Sequence, residues 1–247
     1  MNDIYATLRQ AILDERPVST ATLVAAPTGG PLTVGAKLLI WPASPAQGSL
    51  GSPALDAAAQ ADALALLERG EQATRSYPTP DGTGEVAVFI ETFNPPPTLF
   101  MVGAVHIAVG LTALAKTLGF RTVVIDAREA FATEERFAHA DELVSAWPDV
   151  ALEGRLSYTS HVAVLTHDPK LDDPALRVAL ASPARYIGAL GSPPTHAKRL
   201  ARLREEGLTD AQLARIHGPI GLSIGAKTPE EIALSILGEI IKVRRAK

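Results

Sequence analysis

Leu99-Phe100-Met101-Val102-Gly103-Ala104-Val105-His106-Ile107-Ala108 is the stretch whose reading decides the fold. Thr98 to Val102 is a short apolar run, as a buried strand requires. A glycine turn follows. His106 to Leu118 then carries Ile107, Leu111, Leu114 and Leu118 at helical spacing and closes at Gly119. Arg121 to Ile125 is β-branched and ends at Asp126. Strand, helix and strand within about 30 residues make a βαβ unit.

Outward from this unit the alternation continues. His161 to Leu165 reads as a strand, and Asp173-Pro174 as the N-cap and first residue of a helix. Arg185 to Leu190 reads as a strand. Ser192-Pro193-Pro194 opens a helix running to Glu206 and stopping at Gly207. Thr209 with Gln212 has the capping-box spacing, and so does Thr228 with Glu231, which opens a last helix with Ile232, Ile236 and Ile240 on one stripe. Alternating strands and helices predict an α/β, Rossmann-like, doubly wound parallel sheet.

Toward the N-terminus the rhythm differs. Asp3 to Glu15 reads as an amphipathic helix. Val18 to Ala26, Leu32 to Trp41 and Glu85 to Phe93 read as strands, Pro42 to Pro53 as a loop, and Ala54 to Arg69 as a helix stopped by Gly70. This predicts a smaller α+β domain over residues 1–94. Pro95-Pro96-Pro97 forms a stiff linker and the Rossmann-like domain occupies 98–247. A proline-rich loop inside one domain is the alternative.

With 247 residues, 47% hydrophobic and 20% charged, the chain can bury a sizeable core. Its net charge is −4, with no basic run beyond Lys242 to Arg245, which argues against a nucleic-acid partner. There is no cysteine, so thiolate metal sites, Fe–S clusters and a persulfide on this chain are excluded. No apolar run has membrane-spanning length and the N-terminus lacks a signal-peptide pattern; a cytoplasmic location is expected.

In a dinucleotide-binding unit the turn reads G-x-G-x-x-G/A. The second glycine lets the pyrophosphate approach the backbone at a helix N-terminus. Here Gly103 and Ala108 fit, but Val105 stands where that glycine is expected. Asp126, 23 residues after Gly103, is placed to bind ribose hydroxyls.

Six segments then carry a family resemblance. They are Pro95 to Pro97 before the strand, VGAVHIA from Val102 to Ala108, and VIDAREAFATEERF from Val124 to Phe137. LTHDPKLDDPAL from Leu165 to Leu176, YIGALGS from Tyr186 to Ser192 with Thr195-His196, and Gly218 to Ile241 complete them. In this order they resemble the accessory factors of xanthine dehydrogenase and related molybdenum hydroxylases. The resemblance implies a small N-terminal domain followed by a Rossmann-like domain. It further implies a carrier that binds molybdenum cofactor (molybdopterin), presents it to a cysteine desulfurase for sulfuration, and helps insert it into the apoenzyme. A homodimer is a family-level expectation. The chain departs from the family at two places. Gly48-Ser49-Leu50-Gly51-Ser52-Pro53-Ala54 lacks the glycine pair and cysteine of the family's N-terminal motif, and Val105 replaces a turn glycine.

The candidate ligand-binding residues sit at the carboxyl edge of the predicted sheet. Gly103, Ala104 and Val105 form the turn. His106 starts the helix, either toward a bound anion or as a partly exposed polar residue. Arg128 follows Asp126 and could pair a phosphate or be a surface arginine. Thr166, His167 and Asp168 could orient a ligand or form an Asx turn before Pro169. Gly188, Gly191 and Ser192 could form a second anion nest or an ordinary capped turn. No catalytic residue and no metal site stand out; His161 and His217 read as structural and His139 as a surface residue. Two further readings stay open: an NAD(P)-dependent oxidoreductase, and a non-catalytic assembly protein without its ligand.

Overall fold

The computed structural model describes residues 3–128 and 130–246. The chain divides into two compact units, the first ending at Pro95 and the second beginning at Pro96.

The first unit runs α1 (Ile4–Leu13), β1 (Val18–Ala25), β2 (Lys37–Trp41), β3 (Ser44–Gly48), α2 (Pro53–Arg69), β4 (Ala73–Pro78) and β5 (Glu85–Phe93). Its sheet is antiparallel, in the order β3-β2-β1-β5-β4. Side chains alternate across a strand, so β2 feeds two cores at once. Leu38 and Ile40 pack with Leu55, Ala59, Ala63 and Leu66 of α2. Leu39 between them packs with Ala11 of α1. Gly70 ends α2 in the left-handed region, with φ 64°.

The second unit runs β6 (Thr98–Val102), α3 (His106–Thr117), β7 (Arg121–Ile125), α4 (Glu134–Phe137), β8 (Glu142–Val144), α5 (Pro148–Leu152) and β9 (Ser160–Val164). It continues with α6 (Pro169–Ala181), β10 (Tyr186–Ala189), α7 (Pro193–Glu205), α8 (Asp210–Leu213), β11 (Ile216–His217) and α9 (Pro229–Arg245). All pairings are parallel, in the order β11-β10-β9-β6-β7-β8. This is the doubly wound order expected of a Rossmann sheet. Leu99 and Met101 of β6 face α3 and α9, and Phe100 and Val102 face α5, α6 and α7. The strand order reverses between β6 and β9, so the ligand crevice of such a fold lies beyond Val102 and Val164.

Several sequence expectations shift. The second strand begins at Lys37 rather than Leu32, because Gly35, at φ 93°, turns the chain just before it. Ser44–Gly48, expected as loop, pairs with β2 as an edge strand, where Pro45 needs no ladder partner on its free side. Helix α6 is capped by Asp168 and opens at Pro169, not at Asp173-Pro174; Pro174 lies inside it. The strands β4, β8 and β11 and the short helices α4 and α5 had no sequence expectation. Each is short or strongly polar, so periodicity carries little signal.

Candidate functional site

The turn after β6 is set by close packing. Gly103 has φ 110°, and a Cβ there would lie 2.6 Å from Thr166 Cγ2. Only glycine allows β6 to turn against the loop after β9. The Gly103 N–H donates to the Ile125 carbonyl at 2.8 Å, and the Ala104 N–H donates to Asp126 Oδ2 at 2.8 Å. Arg136 Nη1 donates to the Ala104 carbonyl at 3.0 Å. Val105 is the N-cap of α3, makes no side-chain cap bond, and is followed by no acid in the first turn. The first N–H groups of α3 and the positive end of its dipole are therefore left open to a ligand.

Asp126 does not do what its spacing suggests. It is 1% exposed, and both carboxylate oxygens are engaged by the chain. Arg128 donates its backbone N–H and Nε to Oδ1 at 3.0 and 2.8 Å, and Nη2 to Oδ2 at 2.8 Å. Burial alone would raise the Asp126 pKa. The Arg128 guanidinium and the Ala104 and Arg128 N–H groups outweigh it and hold the carboxyl below the usual range. A ribose diol would have to displace Arg128. Asp126 instead fastens the glycine turn to the end of β7. Arg128 lies with its guanidinium 4.2 Å from the Phe131 ring centre, its side chain about one third exposed.

Beyond the switch point a cleft of about 420 Å³ is lined by Val105, Arg128, Leu165, Thr166, His167, Asp168 and Pro169. Five residues expected at the site thus come together here. Gly103, Ala104 and Asp126 stand behind them as framework. His106 is exposed on α3, outside the lining. The loop 165–169 is self-bonded: Asp168 Oδ1 accepts from the Lys170 N–H at 3.0 Å, and the Asp168 N–H donates to Thr166 Oγ1 at 3.1 Å. Asp168 is therefore an N-cap with an Asx turn, the plainer of the two readings of that segment.

Thr166 Oγ1 donates to the buried Asp172. Arg199 Nη2 in turn donates to Asp172 Oδ2 at 3.2 Å and to the Leu190 carbonyl at 2.8 Å. Sequence reasoning missed both Asp172 and Arg199. A signal for the second was present: an arginine four residues before Leu203 on the core-facing stripe of α7, a place arginine takes only when paired.

The second anion nest is not built as expected. Gly188 lies within β10, and a Cβ there would meet Ile220 Cγ1 at 2.5 Å and the Tyr186 hydroxyl at 2.6 Å, so it is a packing glycine. Ser192 caps α7, but Pro193 and Pro194 have no N–H to offer. The Thr195 N–H donates to Ser192 Oγ at 3.3 Å and the His196 N–H to the Ser192 carbonyl at 2.9 Å. The start of α7 spends its donors on itself.

The N-terminal glycine segment is likewise filled from within. Asp56 Oδ1 accepts from the Leu50 N–H and Oδ2 from Ser49 Oγ, both at 2.7 Å. A carboxylate already sits against the start of α2.

His217 stacks on Tyr186 with ring centres 4.7 Å apart, its Nδ1 3.6 Å from Glu239. His139 Nε2 lies 3.2 Å from the Val109 carbonyl and is partly buried rather than on the surface. Among the described residues no group of three His, Asp or Glu could hold a metal ion, and no helix is long and apolar enough to cross a membrane.

Comparison with known proteins follows the same division. The XdhC Rossmann domain matches residues 99–240, and the XdhC and CoxI family matches 11–78. A Bacillus subtilis protein, named as one of the probable subunits of xanthine dehydrogenase, is 35% identical over 159 residues, 64% of this chain and 46% of that protein. The Escherichia coli molybdenum cofactor insertion chaperone PaoD is 37% identical over 83 residues, 34% of this chain and 26% of its own. The chain spans less than half the length of these curated relatives. A crystal structure described as a xanthine dehydrogenase from Bacillus halodurans superposes with a TM-score of 0.54 at 21% identity, covering 97% of this chain and 95% of that one, and shows the same fold. On these matches the chain belongs to the XdhC and CoxI family, with the XdhC Rossmann domain as its larger part.

Proposed function

We propose that this protein binds molybdenum cofactor and helps insert it into a xanthine dehydrogenase-type molybdenum hydroxylase. The observation that carries the reading is the match to a molybdenum cofactor insertion chaperone. The cleft supplies what a carrier needs: an open helix N-terminus at α3, a fixed cation at Arg128, and a loop that presents His167. Its ligand is cargo, held and handed on. The chain itself needs donors for an anionic group and a rigid wall, and it has both.

Sulfuration by a cysteine desulfurase belongs to the same proposal. This chain has no cysteine, so sulfur would pass from the desulfurase to the bound cofactor without a persulfide on the carrier. A homodimer and a cytoplasmic setting are part of the reading, the first to be checked by light scattering.

The nicotinamide reading loses its anchor, because Asp126 is committed to Arg128 and Ala104. The test is to purify the protein from cells that make molybdenum cofactor, measure bound pterin and molybdenum, and titrate NAD(H) and NADP(H) in parallel. Pterin retained by the wild type and reduced several-fold in Arg128→Gln is the expected result. Tight NAD(P) binding overturns the proposal, and so does absence of both ligands.

A further inference from the structure

Arg199 is 2% exposed, and its guanidinium is only partly used. Nη2 serves Asp172 and the Leu190 carbonyl, while Nε and Nη1 have no acceptor among the described residues. A guanidinium has five N–H groups, so three of them are unmatched. Buried donors on a charged group are strongly destabilising when left without an acceptor, which asks for one from outside the chain. The guanidinium lies under the turn from β10 to α7: a Cβ on Gly191 would come to 3.8 Å from Nη1 and 3.1 Å from Thr195 Cγ2. Gly191, at φ 147°, has no side chain over the group, and the Thr195 side chain packs beside that position. His196, one turn earlier on α7, packs its ring against Gly218 instead.

We propose that the Arg199 guanidinium forms an oxyanion subsite beneath Gly191 that takes a phosphate or a phosphate monoester. The site does not use the N-terminus of α7, whose donors are spent or replaced by proline. Among the described residues, Asp172 is the one carboxylate bonded to the guanidinium. Burial pushes its pKa up, against Thr166 and Arg199, which weakens its competition with an incoming anion. Asp172 also bonds Thr166, so an anion on Arg199 would be felt at the wall of the cleft. The inference goes beyond cofactor carriage and does not need it, since phosphate alone is the probe.

The full chain, prepared in phosphate-free buffer, is titrated with inorganic phosphate while the Arg199 Nε–H resonance is followed by NMR. Saturable binding that moves this resonance is expected. Arg199→Lys should weaken binding at least about tenfold, whereas Arg128→Gln, which alters the cleft, should change it less than about twofold. A nucleotide monophosphate titrated in parallel separates free phosphate from an ester: the tighter binder names the source. Crystals grown with tungstate give a readout that needs no variant, with a heavy-atom peak on Arg199 expected. Water alone at Arg199, no saturable binding, or binding lost with Arg128→Gln and kept with Arg199→Lys each overturns the proposal.

Discussion

At the scale of single residues, the decisive feature is that Asp126 is a structural acid in a ligand-binding position. Its spacing from Gly103 is that of a ribose acid, yet its oxygens hold the turn. Asp126→Ala removes a charge-assisted bond to the Ala104 N–H and frees the Arg128 guanidinium. We expect it to lower stability by about 2–3 kcal/mol, read by urea denaturation. A surface ribose acid would cost far less, so a loss within about 0.5 kcal/mol would contradict the assignment. Val105 separates the same two ideas. Were steric bulk at the turn the sole obstacle, Val105→Gly would gain dinucleotide affinity. Since Asp126 is also committed, the single variant should bind NAD(H) no better than the wild type, as calorimetry would show.

At the scale of elements, legibility followed local signal. The β6–α3–β7 unit was readable from periodicity and its glycine turn, and the Ser192 cap and the capping boxes at Thr209 and Thr228 because cap and periodicity agree. The start of α6 was not. Two Asp-Pro pairs, Asp168-Pro169 and Asp173-Pro174, carry the same local signature, and tertiary packing chooses between them. Asp173 is buried against Arg202, whose Nε donates to it at 2.8 Å, while Asp168 stays free to cap. Asp168→Ala should therefore cost about 1 kcal/mol with an unchanged m-value, and Asp173→Ala should act through loss of the Arg202 pair instead. Equal insensitivity of both would show that the cap is elsewhere. For the candidate site, the strand-end residues Val105, Arg128, Thr166, His167 and Asp168 were legible because the topology rule names the carboxyl edge. Arg199 showed only as an arginine on the core-facing stripe of α7; its partners Asp172 and the Leu190 carbonyl lie on other elements, and no spacing rule connects them.

At the scale of the whole molecule, the doubly wound sheet buries one histidine whose neutrality the fold depends on. His161 stands on β9, 1% exposed, edge-on to Phe120 with ring centres 5.3 Å apart. Burial, aided by the Arg244 and Arg185 charges, lowers its pKa to about 4. The unfolded chain takes up this proton near pH 6.5, and the folded chain only near pH 4. Between these values the unfolded state binds more protons, so stability falls as pH falls. The contribution is fully present above about pH 6.5, and about 3 kcal/mol of it is gone by pH 4. Carboxylates such as Asp126 and Asp141, held below their usual range, lose their stabilisation only at lower pH. Urea midpoints of the wild type and His161→Leu, compared from pH 7 to pH 4, separate the two sources. The variant should lose most of the slope between pH 6.5 and 4 and keep the acid-side loss below it. Parallel profiles would mean that His161 is protonated within the folded sheet and that the pH dependence arises elsewhere.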